Sequence, residues 1–543
     1  MVRIIDKLFG IPTLNTKESV SHLRNFFYWS LTAIAGILLF LPSINFQLHI
    51  AQGDHGNNLY VFWKTLKGAI PYRDYWWVYG PLMPYYYAAF FKYLGISIQS
   101  VLWGYNFLHY ASGLVFFATT KRLFPFLASF TATLFFWVAL PPFEHTYNHI
   151  GGIFIILVVI SALWRYLDDP RIAYLWLAAV SVGVLCLIKL NIGVCVLIAL
   201  VISVWLADRV KGVPLTAHKK RFLLLTLLGL PISMVLIYWF FLKGLPATII
   251  QQCFLVPETD PNRTTILGSL HTLAASYAHE MERHWIVGFG QILMILTAYF
   301  FYLCFRRFDR VQRQKYFLLL GVLLIFCAFL LHEFLLSGVA YRIYWIKPLE
   351  ILLFFIVISV AILHLPRVIY WFSCITIVAL TLNMHNLRLY NIRNIEVPFF
   401  LERAKVFTGN SPQWVQTVTL ATQFLSEHLK KNEYFLALPS EQLYYFLTGK
   451  ESPVRQAELG LKLSRDQEVD LIMAMETGNV KYVLISNRYY APETGMGKFG
   501  TDYAQALGLY IRQHYAPLMA IGPVKAMPEW IEPHGVIILQ RKP

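Results

Sequence analysis

The chain has 543 residues, of which 57% are hydrophobic and only 14% charged. A soluble domain carries roughly twice that share of charge, so a water-soluble enzyme is excluded. A polytopic α-helical membrane protein is implied, with room for about 10 helical spans and a domain beside them. Lys and Arg exceed Asp and Glu by 46 − 30 = 16, but the cations gather in short loops between apolar stretches. That pattern fixes the orientation of a membrane protein, and no nucleic-acid partner is expected.

Residues 1–25 read as a cytoplasmic segment. The first apolar run, 26–45, has the length of a span and no small-residue cleavage site. Further apolar runs fall at about 99–119, 124–141, 150–167, 172–188, 191–207, 222–242, 285–305, 316–335, 343–363 and 368–386, each near the length a bilayer requires. About eleven transmembrane helices are therefore expected, with the two termini on opposite sides. With the N-terminus inside, the inner loops hold Lys121, Arg122, Arg165, Arg171, Arg209, Lys211, Lys219, Lys220 and Arg221. They also hold Arg306, Arg307, Arg310, Arg313, Lys315 and Arg367. The outer loops are longer yet poorer in cations, so the charge bias selects a multi-pass inner-membrane topology with a cytoplasmic N-terminus. None of the six cysteines, Cys186, Cys195, Cys253, Cys304, Cys327 and Cys374, forms a CxxC pair, and no disulfide framework or zinc ribbon follows.

Three regions then face outward. The loop 46–98 carries ten aromatic residues between Tyr72 and Phe91. Such rings settle at the headgroup level, and short interfacial helices are expected near 56–68 and 82–94. Reading 76–95 as another span would invert every later loop and put the Arg-rich loops outside, against the charge bias. The loop 243–284 is the second outer region. The third is the tail 388–543, whose alternation predicts an amphipathic helix at 413–430, strand 434–438, helix 441–448, strand 480–485, helix 501–514, and strands 518–522 and 534–540. That is a small extracytoplasmic α/β domain.

Ionisable groups near a membrane are costly to hold and mark candidate function. Here they gather at the outward ends of the spans: Asp54 after the first span, Glu144, His145 and His149 after the third, and Lys189 between the fifth and sixth. His332 and Glu333 end the ninth, and Arg342, Tyr344 and Lys347 open the tenth. Acids from early loops and cations from later ones suit a cavity at the membrane surface. There a carboxylate takes a proton from a hydroxyl nucleophile and cations neutralise a phosphate leaving group. Each residue also has a plainer reading. Asp54 caps the helix that follows, Lys189 and Lys347 snorkel, and Arg342 anchors the topology. Glu144 with His145 and His149 has the histidine spacing of a metal site, but no helix is expected there and a divalent metal is not favoured. No cofactor is expected. His279–His284 lacks the second histidine of a zincin, Gly495–Lys498 lacks the Ser/Thr of a P-loop, and Asn262-Arg263-Thr264 fits a glycosylation sequon.

The first outer loop reads Asp54, then Lys67-Gly68-Ala69-Ile70-Pro71-Tyr72-Arg73-Asp74-Tyr75, then Val78-Tyr79-Gly80-Pro81-Leu82. This pattern resembles the first loop of the GT-C membrane glycosyltransferases. These include the protein O-mannosyltransferases, the bacterial aminoarabinose transferases and the bacterial branch similar to dolichyl-phosphate-mannose-protein mannosyltransferases. The resemblance covers roughly 20–390. It implies a GT-C-like membrane domain over 26–387 and an inverting glycosyltransferase that moves a sugar from a polyprenyl-phosphate donor to a hydroxyl on a glycan, lipid or protein. By the same resemblance Asp54 serves the acceptor and Glu144 is the second acid. Asp74, Lys189, Arg263, Arg342, Tyr344 and Lys347 are the candidate substrate-binding residues. Many members carry two adjacent acids at the first position, whereas here His55 follows Asp54. Two other functions stay open: a polysaccharide polymerase or ligase of related architecture, and a lipid-linked sugar transporter or flippase. A transporter would place its polar groups near the midplane in repeated halves, and no repeat is evident.

Overall fold

The computed structural model describes residues 17–140, 147–211, 235, 238–245, 268, 310–337, 340–363, 367–455, 465–489, 496–528 and 531–543. The chain enters through α1 (Lys17–Phe40), makes a two-residue strand β1 (Phe46–Gln47), and builds its first loop from α2 (Asp54–Leu66) and α3 (Leu82–Leu94). The long apolar helices follow: α4 (Ile98–Thr120), α5 (Phe126–Ala139), α6 (His149–Asp168), α7 (Ile172–Ile188), α8 (Leu190–Lys211), α9 (Arg310–Leu330) with the short α10 (His332–Ser337), α11 (Lys347–Leu363) and α12 (Arg367–Ile395). The boundaries follow local chemistry. Ser97 caps α4 by accepting from the Ser100 amide, Pro125 precedes α5, and Pro348 sits in the first turn of α11, where its missing N–H is not needed.

Helices thus stand at nine of the eleven expected places, and the expected spans 222–242 and 285–305 lie almost wholly outside the described residues. Among the described residues, four stretches are long and apolar enough to cross a bilayer: His22–Ser43, His149–Asp168, Leu190–Val210 and Gln314–Leu336. Phe126–Ala139 and Ile172–Ile188 are apolar but shorter than a full span. The chain is polytopic, but eleven spans exceed this count. The predicted span at 343–363 begins only at Lys347, because Ala340–Trp345 forms a separate 3-10 turn.

After α12 come β2 (Val397–Phe399), β3 (Val406–Thr408), α13 (Pro412–His428), β4 (Tyr434–Leu438), α14 (Gln442–Thr448), α15 (Arg465–Thr477), β5 (Val480–Ser486), α16 (Gln505–His514), β6 (Tyr515–Ile521) and β7 (Val536–Arg541). The main sheet has the order β4-β5-β7-β6, with β4 parallel to β5 and the other neighbours antiparallel. This is the α/β domain read from the tail. Helix α15 and the small strands escaped that reading. β1 pairs in parallel with β3, Phe46 opposite Phe407, and β3 pairs with β2. The exit of the first helix is therefore stitched to the start of the tail.

The aromatic first loop departs from expectation. Tyr72, Tyr75, Trp76, Trp77, Tyr87 and Phe91 are buried, in one apolar cluster with Phe399, Trp414, Tyr444 and Phe446 of the tail. Rings placed by composition at a headgroup layer are instead the core of a joint between loop and tail. Both expected helices exist, but α2 is covered by α14. Gly56 makes this approach feasible: a Cβ there would sit 2.4 Å from the Leu443 amide nitrogen, and that amide donates to the Gln52 carbonyl.

Candidate functional site

Two polar clusters form, linked by the start of α6. The first stands where α7 ends, α8 begins, and α9 gives way to α10. Lys189 ion-pairs with Glu333 at 2.7 Å, the lysine 17% and the glutamate 6% exposed. Asn191 donates to the same carboxylate at 2.6 Å and the Trp345 indole at 3.0 Å. The Lys189 ammonium also lies over the rings of Tyr79 and Trp345, 5.5 and 5.3 Å from their centroids, and Arg342 is close enough to oppose its charge. Trp345 packs edge-on against His149 at 4.9 Å. Glycines permit this crowding. A Cβ on Gly152 would meet the Trp345 ring at 2.6 Å, and one on Gly80 would meet the Leu187 carbonyl oxygen at 1.9 Å. The Gly80 amide donates to Ile188, so the Val-Tyr-Gly-Pro run of the first loop is clamped onto the end of α7 beside Lys189.

The second cluster surrounds Asp54, the first residue of α2. Gly53 holds the N-cap position and no side chain caps the helix, so the capping role read for Asp54 is not the one it plays. A carboxylate at N1 faces the positive end of the helix dipole. The next residue, His55, is fully buried and its Nδ1 accepts from the Ala51 amide, which leaves its proton on Nε2. β4 and β5 are parallel, so their carboxyl ends share one edge, and β7 starts there. That edge brings Glu441, Arg488 and His534 near one another, with Arg488 also near Asp54. Burial pushes the Asp54 carboxyl up and the nearby Arg488 guanidinium opposes that rise. Burial also pushes Glu441 up to about 8, against a hydrogen bond from Ser486 and the charge of Arg488. It pushes His534 down to about 3, with Arg488 acting in the same direction. Burial thus favours the uncharged forms of both Glu441 and His534, which stand 3.9 Å apart, and His534 shares a hydrogen bond with the Tyr444 hydroxyl at 2.8 Å.

The residues just before and at the start of α6 join the two clusters. Asn148 donates to Asn58 at 2.8 Å, and Asn58 donates back to the Asp54 carbonyl at 2.6 Å. Tyr147 lies against the His55 ring at 5.1 Å and accepts the Tyr87 hydroxyl on its carbonyl. His149 follows directly and touches Trp345.

The other expected residues fare differently. Asp74 closes its own turn: its carboxylate accepts the Ile70 amide and pairs with Arg73, which holds it below the usual carboxylate range. Lys347 pairs with Glu350 at 3.2 Å, both nearly sealed from solvent. Tyr344 packs half-buried against the helical core. Glu144, His145 and Arg263 lie outside the described residues. Among the described residues no group of three or more His, Cys, Asp or Glu is placed to hold a metal ion. Sequence reasoning named Glu333 but not as a site residue, and passed over Glu441, Arg488 and His534. The signal for those three was positional: Glu441 and Arg488 follow predicted strands, and His534 opens the strand predicted at 534–540.

No protein-family model matches the sequence, and no curated protein matches it. Solved structures do match. ArnT from Cupriavidus metallidurans, in a crystal structure bound to undecaprenyl phosphate, superposes with a TM-score of 0.55 at 10% identity, covering 94% of this chain and 97% of that one. Its apo structure gives 0.54, at 10% identity, over 96% and 98%. The arabinofuranosyltransferase AftD from Mycobacteria gives 0.48 at 14% identity, covering 95% of this chain and 40% of that one. With nearly the whole of both chains covered, the likeness spans the helical bundle and the tail alike, and the chain shares the overall fold of the ArnT structures.

Proposed function

We propose that this protein is an inverting glycosyltransferase of the inner membrane that moves a sugar from a polyprenyl-phosphate donor to a hydroxyl on a glycan, lipid or protein at the outer face. In this reading eleven spans put the N-terminus in the cytoplasm and the tail outside, as the cation bias favours. The single observation that carries the reading is the link through Asn58 and Asn148. It ties the backbone of Asp54 to the start of α6, where His149 touches Trp345 of the cluster that holds Lys189 and Glu333. The ArnT structure with undecaprenyl phosphate supports a donor of that class.

Asp54 takes the proton of the acceptor hydroxyl as it attacks the anomeric carbon, and the sugar–phosphate bond breaks with its electrons leaving on the phosphate oxygen. Lys189 is neutralised by Glu333, and in this reading Arg342, whose planar fork suits two phosphate oxygens, meets the departing phosphate. Glu144 and Arg263 remain candidates for the second acid and a further cation, and no metal is invoked.

The test is transfer by purified Asp54→Asn. Membranes of a deletion strain, which would hold the accumulated donor and unmodified acceptor, serve as substrate, and release of polyprenyl phosphate is measured. Loss of a general base lowers the rate about 100- to 10,000-fold. Near-parental release by a folded Asp54→Asn protein would overturn the reading.

A further inference from the structure

The joint between the first loop and the tail holds a polar side chain that the transfer reaction as described does not use. Helix α14 runs alongside α2 in the same direction. Ser440, just before α14, faces Gly53: a Cβ built on that glycine would lie 3.3 Å from the Ser440 carbonyl oxygen. One turn on, a Cβ on Gly56 would lie 2.4 Å from the Leu443 amide nitrogen, and that amide donates to the Gln52 carbonyl at 3.2 Å. Further along, the Tyr445 and Tyr60 rings meet at 5.4 Å. Gln442, the first residue of α14, is therefore level with the first turn of α2, which begins at Asp54. Residues three and four apart share one face of a helix, so Gln442 stands on the face that carries Tyr445 and Phe446. That face is turned to the first loop, since Tyr445 lies against Tyr60 and Phe446 stacks on Phe91 of α3 at 5.7 Å.

Gln442 is fully buried, and among the described residues neither its amide nitrogen nor its amide oxygen has a hydrogen-bond partner. Other polar side chains on the two helices are paired elsewhere: Tyr444 with His534, Tyr445 with the Ala437 amide, and Asn58 with Asn148 and the Asp54 carbonyl. A buried amide left unpaired is costly to hold, and native proteins carry few. At Gln442 both ends of the amide are in this state, level with the acid that carries the proposed transfer. We propose that Gln442 is the tail's recognition residue for a sugar held beside Asp54, donating from Nε2 to one hydroxyl and accepting on Oε1 from its neighbour. The amide itself selects this ligand. A hydroxyl both donates and accepts, so two adjacent sugar hydroxyls satisfy the whole group. An ionised phosphate oxygen only accepts, and would leave Oε1 unpaired. The same hydroxyl chemistry belongs to the sugar being transferred and to a sugar acceptor, and binding without turnover separates the two. The proposal rests on the transfer reading for the identity of its ligand: the membrane end handles phosphate, and the tail reads sugar.

The test compares Gln442→Met with the parent as full-length proteins in detergent micelles. Methionine keeps the length of the side chain and removes both polar atoms. Thermal unfolding should occur at the parental temperature or above it, because an apolar group of the same shape in place of an unpaired polar one is neutral or stabilising. An amide that serves the fold, through a buried water or through the chain, would instead lower that temperature when removed. Gln442→Leu is the second variant and should give the same result. Binding is read by tryptophan quenching with two probes: undecaprenyl phosphate, which has no sugar, and the polyprenyl-phosphate sugar purified from membranes of a deletion strain. Undecaprenyl phosphate should bind parent and variant equally. Loss of the two hydrogen bonds should weaken the sugar contact roughly tenfold. If the purified polyprenyl-phosphate sugar binds that much more weakly, the hydroxyls are those of the sugar being transferred. If it binds equally, and the amount of deletion-strain membrane needed for half-maximal release of polyprenyl phosphate at saturating donor rises roughly tenfold, they are those of the acceptor. Lower stability in both variants, weaker binding of undecaprenyl phosphate itself, or parental values for both donor binding and membrane dependence would overturn the proposal. A parent protein that binds neither lipid overturns the transfer reading and this contact together, whereas normal parental binding with no effect in Gln442→Met overturns the contact alone.

Discussion

Replacing Glu333 with Gln tests the physics of the membrane-end cluster. The carboxylate is 6% exposed at its side chain and receives three donors: Lys189 at 2.7 Å, Asn191 at 2.6 Å and the Trp345 indole at 3.0 Å. Asn191 meets one oxygen and Trp345 the other. An amide has a single acceptor oxygen, so either orientation turns an NH2 group toward a donor. The Lys189 charge is left without its counter-ion among apolar walls. Removing one partner of a buried pair costs about 3–5 kcal/mol, most of it from the charge that remains. The double variant Lys189→Met/Glu333→Leu removes both charges and should recover most of that stability, since apolar replacements of a buried pair are often neutral. The assay is reversible unfolding in mixed micelles with rising SDS, followed by tryptophan fluorescence. Glu333→Gln within about 0.5 kcal/mol of the parent, the range of an ordinary surface change, would refute the reasoning.

Four further outcomes are expected. Gly80→Ala forces a methyl to 1.9 Å from the Leu187 carbonyl oxygen and should destabilise by about 1–3 kcal/mol by overpacking, with donor affinity falling alongside in the same preparation; unchanged unfolding would remove the clamp. Arg342→Ala should weaken binding of undecaprenyl phosphate, measured by tryptophan quenching, with Arg342→Lys intermediate, and equal binding by all three proteins would return Arg342 to an anchoring role. Glu441, raised to about 8 from 4.5, binds more protons folded than unfolded, so its contribution to stability is complete below about 4.5 and is lost as pH rises through about 8. His534, lowered to about 3 from 6.5, contributes stability that is complete above 6.5 and is lost as pH falls through about 3. The two slopes oppose between about 4.5 and 6.5, and only Glu441 declines above that, so Glu441→Gln should flatten the alkaline side of a thermal-unfolding profile. A single Cys at Met473, 50% exposed in the tail, should react with an impermeant maleimide once any outer membrane is permeabilised, while one at Arg171 should not; the reverse pattern would invert the topology.

Much of this architecture was legible in the sequence because its signals are local. Helix lengths follow apolar runs, and the ends of α7 at Ile172 and Ile188 match the expected 172–188. The tail's alternation located β4 at 434–438 and the helix after it. What escaped was relational. Tyr72, Trp77 and Tyr87 have the composition of a headgroup belt, and only their packing against Trp414 and Tyr444 shows them to be a core. β1 and β3 are too short to give a periodic signal and exist because each supplies the other's hydrogen bonds. Asp74 and Lys347 looked like site residues by charge, but each is satisfied within four residues of itself. Arg488 resembled any charge after a strand until the sheet edge and Gly53 brought it to Asp54.

The seam between β1 and β3 also sets a timetable for biogenesis. The Ile50 amide, four residues before Asp54, finds its acceptor on Asn410, 360 positions later in the chain. Ribosomes add roughly 5–20 residues per second, so the first loop emerges on the order of 20–70 s before its partners exist. Throughout that interval the nascent protein holds inserted helices but an unfinished loop with bare aromatic rings. A chain truncated anywhere before β3 would have a membrane anchor and no ordered start to α2. Nonsense or frameshift products that stop before β3 should therefore reach the membrane unfinished and present their exposed aromatic loop to proteases and chaperones.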